Sequence, residues 1–296
     1  MTSNPVIRAF FDEATNTVSY LVSDPATARA AVIDPVLDFD PGSGRISLES
    51  VNAILAAAAE DGLAIEMVLE THAHADHLSA AQWIRRQTGA WIGIGRHIDQ
   101  VQAIFAPVFG MDDLVPDGSI FDRLLDEGEV IALGELRIEV MHTPGHTPAC
   151  VSYRIGDAVF VGDTLFMPDY GTARADFPGG DAAALYRSIR RILALPRETR
   201  LFMCHDYMPA GRNDYAWETT VGEERDGNVH IRDGVGEAEF VAMRQARDAG
   251  LAAPKLLLPS IQVNVRAGHF PPADANGTTY LRTPIRPEGE AAILLS

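Results

Sequence analysis

The reading of this chain turns on Thr71-His72-Ala73-His74-Ala75-Asp76-His77. It follows a buried apolar run at 65–69 and places three imidazoles within six residues. A chain of this length and composition meets His-x-His-x-Asp-His by chance in roughly five cases in ten thousand. In an extended segment residues i and i+2 point to the same side, so His72 and His74 can converge on one point. Asp76 and His77 fall where the chain turns into the next helix and face a neighbouring point. Such a layout serves one metal ion or two. Crowded imidazoles repel one another when protonated unless a ligand organises them.

Later residues complete the constellation. His142-Thr143-Pro144-Gly145-His146-Thr147-Pro148 follows a strand expected at 136–140, and its proline and glycine fix a tight loop. His146 is the better ligand candidate there, and His142 reads as structural. A strand at 158–161 ends in Gly162-Asp163-Thr164, and one at 200–204 ends at His205. Strand tips are where a rigid scaffold presents functional groups, and these tips point to one sheet edge. His97, His230 and His269 lack such company and read as structural or surface.

The rest of the chain alternates strands and helices. Strands are expected at 6–11 and 18–22 with a turn at 12–16, and at 30–33, ending at Asp34-Pro35. A polar loop at 41–44 leads to a helix over 48–59 with Ser47 as a candidate cap, then the strand at 65–69 and a helix from about 79 to 87 stopped near Gly89. Strands at 130–133 and 136–140 flank Gly134-Glu135, and strands at 151–154 and 158–161 flank Gly156-Asp157. An amphipathic helix covers 181–193. Residues 208–235 are polar and Gly-rich, a helix follows over 237–249 stopped by Gly250, and the tail is rich in proline. The order predicts an α+β chain with two mixed sheets between helices. Residues 1–207 form the core, and 208–296 an insertion and cap packed on it in the same domain.

Composition narrows the function classes. At 296 residues the chain buries a substantial core, with 47% hydrophobic and 22% charged residues, as ordinary globular proteins have. No apolar run approaches the roughly 18 residues needed to cross a bilayer. Met1-Thr2-Ser3-Asn4-Pro5 shows no basic segment leading into an apolar one, so no signal peptide is expected and the location is read as cytoplasmic. Lysine plus arginine number 24 against 41 aspartate plus glutamate, a net charge of −17. That charge repels nucleic acid and anionic membranes, yet a few arginines in one cleft can still favour an anionic small substrate. Cys150 and Cys204 are too few for a disulfide scaffold, fit a reducing compartment, and read as buried small hydrophobes.

Taken together, His-x-His-x-Asp-His, a later His, Gly-Asp after a strand and a final His make residues 5–207 resemble the metallo-β-lactamase superfamily. That resemblance implies an αββα sandwich with metal at the sheet edge. It assigns His72, His74, His146 and Asp163 to one metal position, and Asp76, His77 and His205, with Asp163 bridging, to a second. A narrower set is similar to the persulfide dioxygenases, within them the bacterial β-lactamase hydrolase-like branch that carries a longer segment after His-Asp-Tyr. It comprises the stretch at 71–77, Thr143-Pro144-Gly145-His146-Thr147-Pro148-Ala149-Cys150, Gly162-Asp163, Arg174-Ala175-Asp176-Phe177, His205-Asp206-Tyr207 and Asn264-Val265-Arg266. This resemblance implies one Fe(II) held by His72, His146 and Asp163, with glutathione persulfide and O2 converted to sulfite and glutathione. His74, Asp76, His77 and His205 then orient that triad. Ala175 stands where relatives often carry Thr or Cys, a departure that bears on pocket shape.

Glutathione's two carboxylates call for arginine forks. Arg174 is the first candidate, then Arg212 and Arg266, while Tyr207 is placed to direct its hydroxyl at the substrate. The rival reading is a thioester hydrolase like glyoxalase II, with two zinc ions bridged by Asp163; every ligand it needs is present. A non-catalytic metal or persulfide sensor is a third reading, from a different class. Apolar residues at 256–259 are expected to be exposed and to serve a homodimer.

Overall fold

Strands with both faces apolar need cover on both sides, and the chain supplies it with two sheets and flanking helices. The computed structural model describes residues 4–287. The chain begins with strands β1 (Val6–Asp12), β2 (Thr17–Asp24), β3 (Arg29–Ile33), β4 (Val36–Asp40) and β5 (Arg45–Ser47), then helix α1 (Glu49–Glu60). It continues through β6 (Ala64–Leu69), β7 (Leu78–Ser79), α2 (Ala81–Thr88), β8 (Trp91–Gly95), α3 (Ile98–Phe109) and β9 (Arg123–Leu125). Next come β10 (Val130–Leu133), β11 (Leu136–His142), β12 (Val151–Ile155), β13 (Ala158–Phe160), α4 (Ala182–Ile192) and β14 (Arg200–Phe202). The described chain closes with β15 (Glu218–Thr220), α5 (Val221–Gly227), α6 (Glu237–Asp248) and α7 (Leu257–Asn264).

One sheet has the order β1-β2-β3-β6-β8-β9 and the other β10-β11-β12-β13-β14-β15, with a small β5-β4-β7 sheet at the side. β3, β6, β8 and β9 run parallel, as do β13 and β14, and the remaining pairs are antiparallel. Side-chain alternation then sorts the core into three layers. In β3, Ala31 and Ile33 face the second sheet, where they meet Tyr153 and Phe160. Ala30 and Val32 face the opposite way, toward Val51 and Ile54 of α1, Ile84 of α2 and Ile261 of α7. Outside the second sheet, Val159 and Leu201 pack under Leu185 and Ile189 of α4 and Phe240 of α6. This is the αββα sandwich expected from the sequence.

Several local expectations shift. Ser47 belongs to β5 and caps nothing; Asp38 instead accepts the Ser50 N–H and hydroxyl at the start of α1. The polar loop at 41–44 is the turn of the β4–β5 hairpin. Residues 91–95 and 98–109 form a strand and a helix that the sequence reading passes over. The segment at 256–259 is not an exposed apolar patch: Leu256 is buried, and Leu257 and Leu258 pack on the first core. Among the described residues no helix is long and apolar enough to cross a membrane. Residues 1–3, where the signal-peptide reading begins, lie outside the described residues, as do 288–296 of the expected cap.

Candidate metal centre and its cavity

The ends of β3, β6, β11 and β13 meet at one edge of the sandwich. The stretch at 71–77 crosses that edge, tethered by the Val151 N–H to the Thr71 carbonyl and the Tyr153 hydroxyl to the Glu70 carbonyl. Asp34, at the end of β3 with φ of 49°, turns its carboxylate to Thr71 and accepts both the backbone N–H and the hydroxyl at 2.7 Å. The Thr71 hydroxyl has one proton and gives it to Asp34, so toward His72 Nδ1, 3.0 Å away, its oxygen accepts. Gly162 approaches this hydroxyl so closely, with φ of 53°, that a Cβ there would lie 2.7 Å from it.

The other rings are oriented by the same device. His146 Nδ1 donates to the Arg174 carbonyl at 2.8 Å, His77 Nδ1 to the Leu78 carbonyl at 3.2 Å, and His205 Nδ1 to the Asn16 carbonyl at 3.2 Å. With Nδ1 donating in each ring, Nε2 of the neutral ring keeps its lone pair for a ligand role. The ligand atoms of His72, His146 and Asp163 lie within 4.8 Å of one another, and all three residues are buried. His205 Nε2 is 3.2 Å from Asp76 and 3.3 Å from Asp163. His77 Nε2, His205 Nε2, Asp163 Oδ1 and both ring nitrogens of His74 are buried with no hydrogen-bond partner among the described residues. Buried ligand atoms without partners fit a bound cation, and imidazole with carboxylate suits divalent transition metals, iron and zinc among them.

His74 is turned differently. Its Nε2 lies 3.0 Å from Asp34 and 3.6 Å from Glu70, and Ser79 donates its hydroxyl to Glu70. A further group of ligand atoms, from His74, Asp76 and His77, also falls within 4.8 Å. Burial, then the neighbouring imidazoles of His74 and His146, holds the His72 pKa well below its usual range. Burial, then His74, holds His77 down to about 3. Burial also opposes a charge on His74, but the charge and hydrogen bond of Asp34 outweigh it and raise that pKa well above the usual value. His205 behaves likewise: burial lowers it, while Asp76, Cys204 and Asp163 raise it further.

A cavity of about 620 Å³ opens over this centre, with His146, Asp163, Asp76 and Tyr207 on its lining. Tyr207 stacks on His205 at 5.6 Å between centroids and lies 5.0 Å from Tyr170. Burial, then Asp76 and Asp163, raises its pKa well above 10, so the hydroxyl stays protonated. Of the three arginines expected to hold substrate, only Arg174 lines the cavity, and its fork is taken by Asp176 at 2.6 and 2.8 Å and the Ala252 carbonyl at 2.7 Å. Arg212 ties Asp206 to Asp169. Arg266 pairs with Asp113 beside a different cavity. Cys150 and Cys204 are buried and unpaired, and burial pushes the Cys150 thiol up to about 12. His142 donates Nε2 to the Pro148 carbonyl, a structural role.

Sequence reasoning gave no site role to four residues here. Asp34 and Glu70 each follow a buried strand, the same strand-tip signal that found Asp163. Asn264 donates to the carbonyls of His74 at 2.8 Å and His77 at 2.7 Å and accepts the Ser79 N–H at 2.8 Å, clamping the histidine loop from α7. His230 lines the cavity and is not a surface residue; no spacing in the sequence marks it.

The comparisons agree with this geometry. The family model of the metallo-beta-lactamase superfamily matches residues 13–205. A probable metallo-hydrolase of Burkholderia pseudomallei is 53% identical, over 94% of this chain and 98% of its own. Glyoxylase B2 of Dictyostelium discoideum is 44% identical, over 96% and 98%. Among solved structures, ETHE1 from Myxococcus xanthus superposes with a TM-score of 0.71 at 32% identity, covering 89% of this chain and all of that one. The human protein of that name, persulfide dioxygenase ETHE1, is 27% identical over 89% of each chain. With its fold, its histidine-aspartate edge and a family match over most of its length, the chain belongs to the metallo-beta-lactamase superfamily.

Proposed function

We propose that this protein is a persulfide dioxygenase that oxidises glutathione persulfide at a single Fe(II) held by His72, His146 and Asp163. The observation that carries the reading is how the imidazoles divide. His72 and His146 gather with Asp163, while His74 turns Nε2 toward the carboxylates of Asp34 and Glu70, 3.0 and 3.6 Å away. Two imidazoles and one carboxylate are the donor set of non-haem iron oxygenases. The likeness to ETHE1 proteins supports the same reading. Bound there, Fe(II) supplies redox chemistry toward dioxygen that zinc lacks.

The chain's own residues orient and shield. Thr71 and the Arg174 carbonyl fix the His72 and His146 rings through Nδ1. Tyr207 keeps an O–H donor beside Asp163 on the cavity lining, and Phe166 and Phe177 give that lining apolar surface. The balance is persulfide plus O2 plus water giving thiol, sulfite and two protons. The S–S bond breaks, the outer sulfur loses four electrons, and O2 takes them up. Unpaired Cys150 and Cys204 suit the reducing cytoplasm proposed as its location.

A second reading has one specific observation in its favour. His205 Nε2 sits between Asp76 and Asp163, and His77 Nε2 has no partner, which gives donors for a second metal as a thioester hydrolase needs. The likeness to glyoxylase B2 leans the same way. Oxygen consumption with glutathione persulfide, run beside S-lactoylglutathione hydrolysis on protein of measured metal content, decides between them. About one iron per chain with oxygen uptake is expected; two zincs with thioester cleavage and no oxygen uptake would replace the proposal.

A further inference from the structure

The expected arginine forks are spoken for, so the cavity must recognise an anionic substrate tail by other means. Four cations besides His230 line it: Arg174, Arg244, Arg247 and Lys255. Arg174 is bound to Asp176, and buried Arg244 pairs with Asp248 at 2.7 Å and donates to the Thr172 carbonyl. Among the described residues, Arg247 and Lys255 are exposed and have neither an ion pair nor a side-chain hydrogen bond. Most other arginines of this acidic chain carry a carboxylate partner. Lys255 is, moreover, the only lysine in all 296 residues.

We propose that Arg247 and Lys255 form a carboxylate-binding subsite for the thiol-bearing part of the substrate, with His230 as a neutral donor beside them. Two uncompensated cations at the border of a low-dielectric cavity favour an anion there. His230 Nδ1 accepts the Thr172 N–H at 3.0 Å, so the neutral ring carries its proton on Nε2, which has no hydrogen-bond partner among the described residues. Burial, then Arg244 and Arg247, holds the His230 pKa down to about 4, which keeps the ring neutral, and His230 and Arg247 line the same cavity. The carboxylates of the lining do not compete: Asp76 and Asp163 belong to the metal centre, and Asp40 accepts from Gly42 and Ser43. The subsite comes from α6 and the loop after it, the part of the chain following His205-Asp206-Tyr207.

The proposal takes the thiol's identity from the function proposed above, so the test avoids the reaction. S-methylglutathione and its dimethyl ester are titrated calorimetrically into the metal-loaded protein and into K255M, R247M, K255M/R247M and K255R. Wild type is expected to bind the acid about tenfold tighter than the ester. Each single variant loses about threefold to fivefold for the acid, the double variant binds both ligands equally, and K255R recovers most of the loss. Equal binding of acid and ester by wild type, or discrimination that survives in the double variant, would overturn the subsite. The failures separate cleanly. Discrimination without persulfide oxidation would end the dioxygenase reading and keep the subsite. Oxygen uptake whose KM ignores both substitutions would do the reverse.

Discussion

The floor of the cavity and its wall hold their side chains in different ways. On the floor, His72, His146, Asp163 and His205 project from strand ends, and each histidine ring is fixed through Nδ1 to a protein oxygen. On the wall, Arg247 and Lys255 extend from α6 and the following loop, exposed and without ion-pair partners among the described residues. A metal demands ligand atoms held to fractions of an ångström, which packed strands and fixed rings provide. A carboxylate several bonds from the reacting sulfur demands only charge within reach, which long mobile side chains provide.

If that contrast holds, damage to the floor should be severe and specific to metal. H72A is expected to cut persulfide-dependent oxygen uptake by about a hundredfold or more and to bring metal content well below one per chain, as elemental analysis would show. Wall variants should keep full metal content. A floor variant that retains both metal and rate would break the comparison.

The clamp beneath the floor comes next. N264A leaves the His74 and His77 carbonyls and the Ser79 N–H without their partner. We expect a loss of about 2–3 kcal/mol in urea unfolding, together with weaker metal retention in a chelator competition. Unchanged retention would mean that the loop is held from the sheet side alone.

Behind the wall, Glu224 is buried with Oε1 unpartnered, and burial raises its pKa from 4.5 to about 8 despite the Asn228 amide. The folded pKa lies above the unfolded one. Its contribution to stability is therefore complete below pH 4.5 and is lost as pH climbs through about 8. Melting curves of wild type should fall through that window relative to E224Q, which at pH 9 should melt higher by roughly 5 °C. Parallel curves would show that Glu224 is ionised throughout. The smallest effect is reserved for R266A. Its fork rests on Asp113 beside another cavity, so the KM for persulfide should stay within about twofold of wild type.

The same contrast explains what was legible in the sequence. Floor residues sit at the ends of apolar runs and at fixed spacing, so His72, His146, Asp163 and His205 could be found without coordinates. Asp34 and Glu70 carry the same signal and were missed only because no histidine stood next to Asp34 and the cluster overshadowed Glu70. Wall residues have no such mark. Arg174, Arg212 and Arg266 stand in recognisable stretches, yet their forks hold internal carboxylates, a pairing that depends on tertiary contacts no local pattern encodes. The strand at 91–95 and helix at 98–109 were missed for a related reason. Gly93 and Gly95 dilute the strand signal, and α3 is apolar on more than one face with Pro107 inside it.

The Asn264 amide also sets an order of events during synthesis. Every candidate ligand has been made once His205 leaves the ribosome, but the side chain that ties down the histidine loop belongs to α7. A nascent chain that ends before α7 therefore carries a complete set of donors on a loop held from the sheet side alone, and we expect firm capture of metal to wait for α7 to dock. Stalled chains ending before and after residue 264, compared for retained metal, would reveal that step; equal retention by both would place capture earlier.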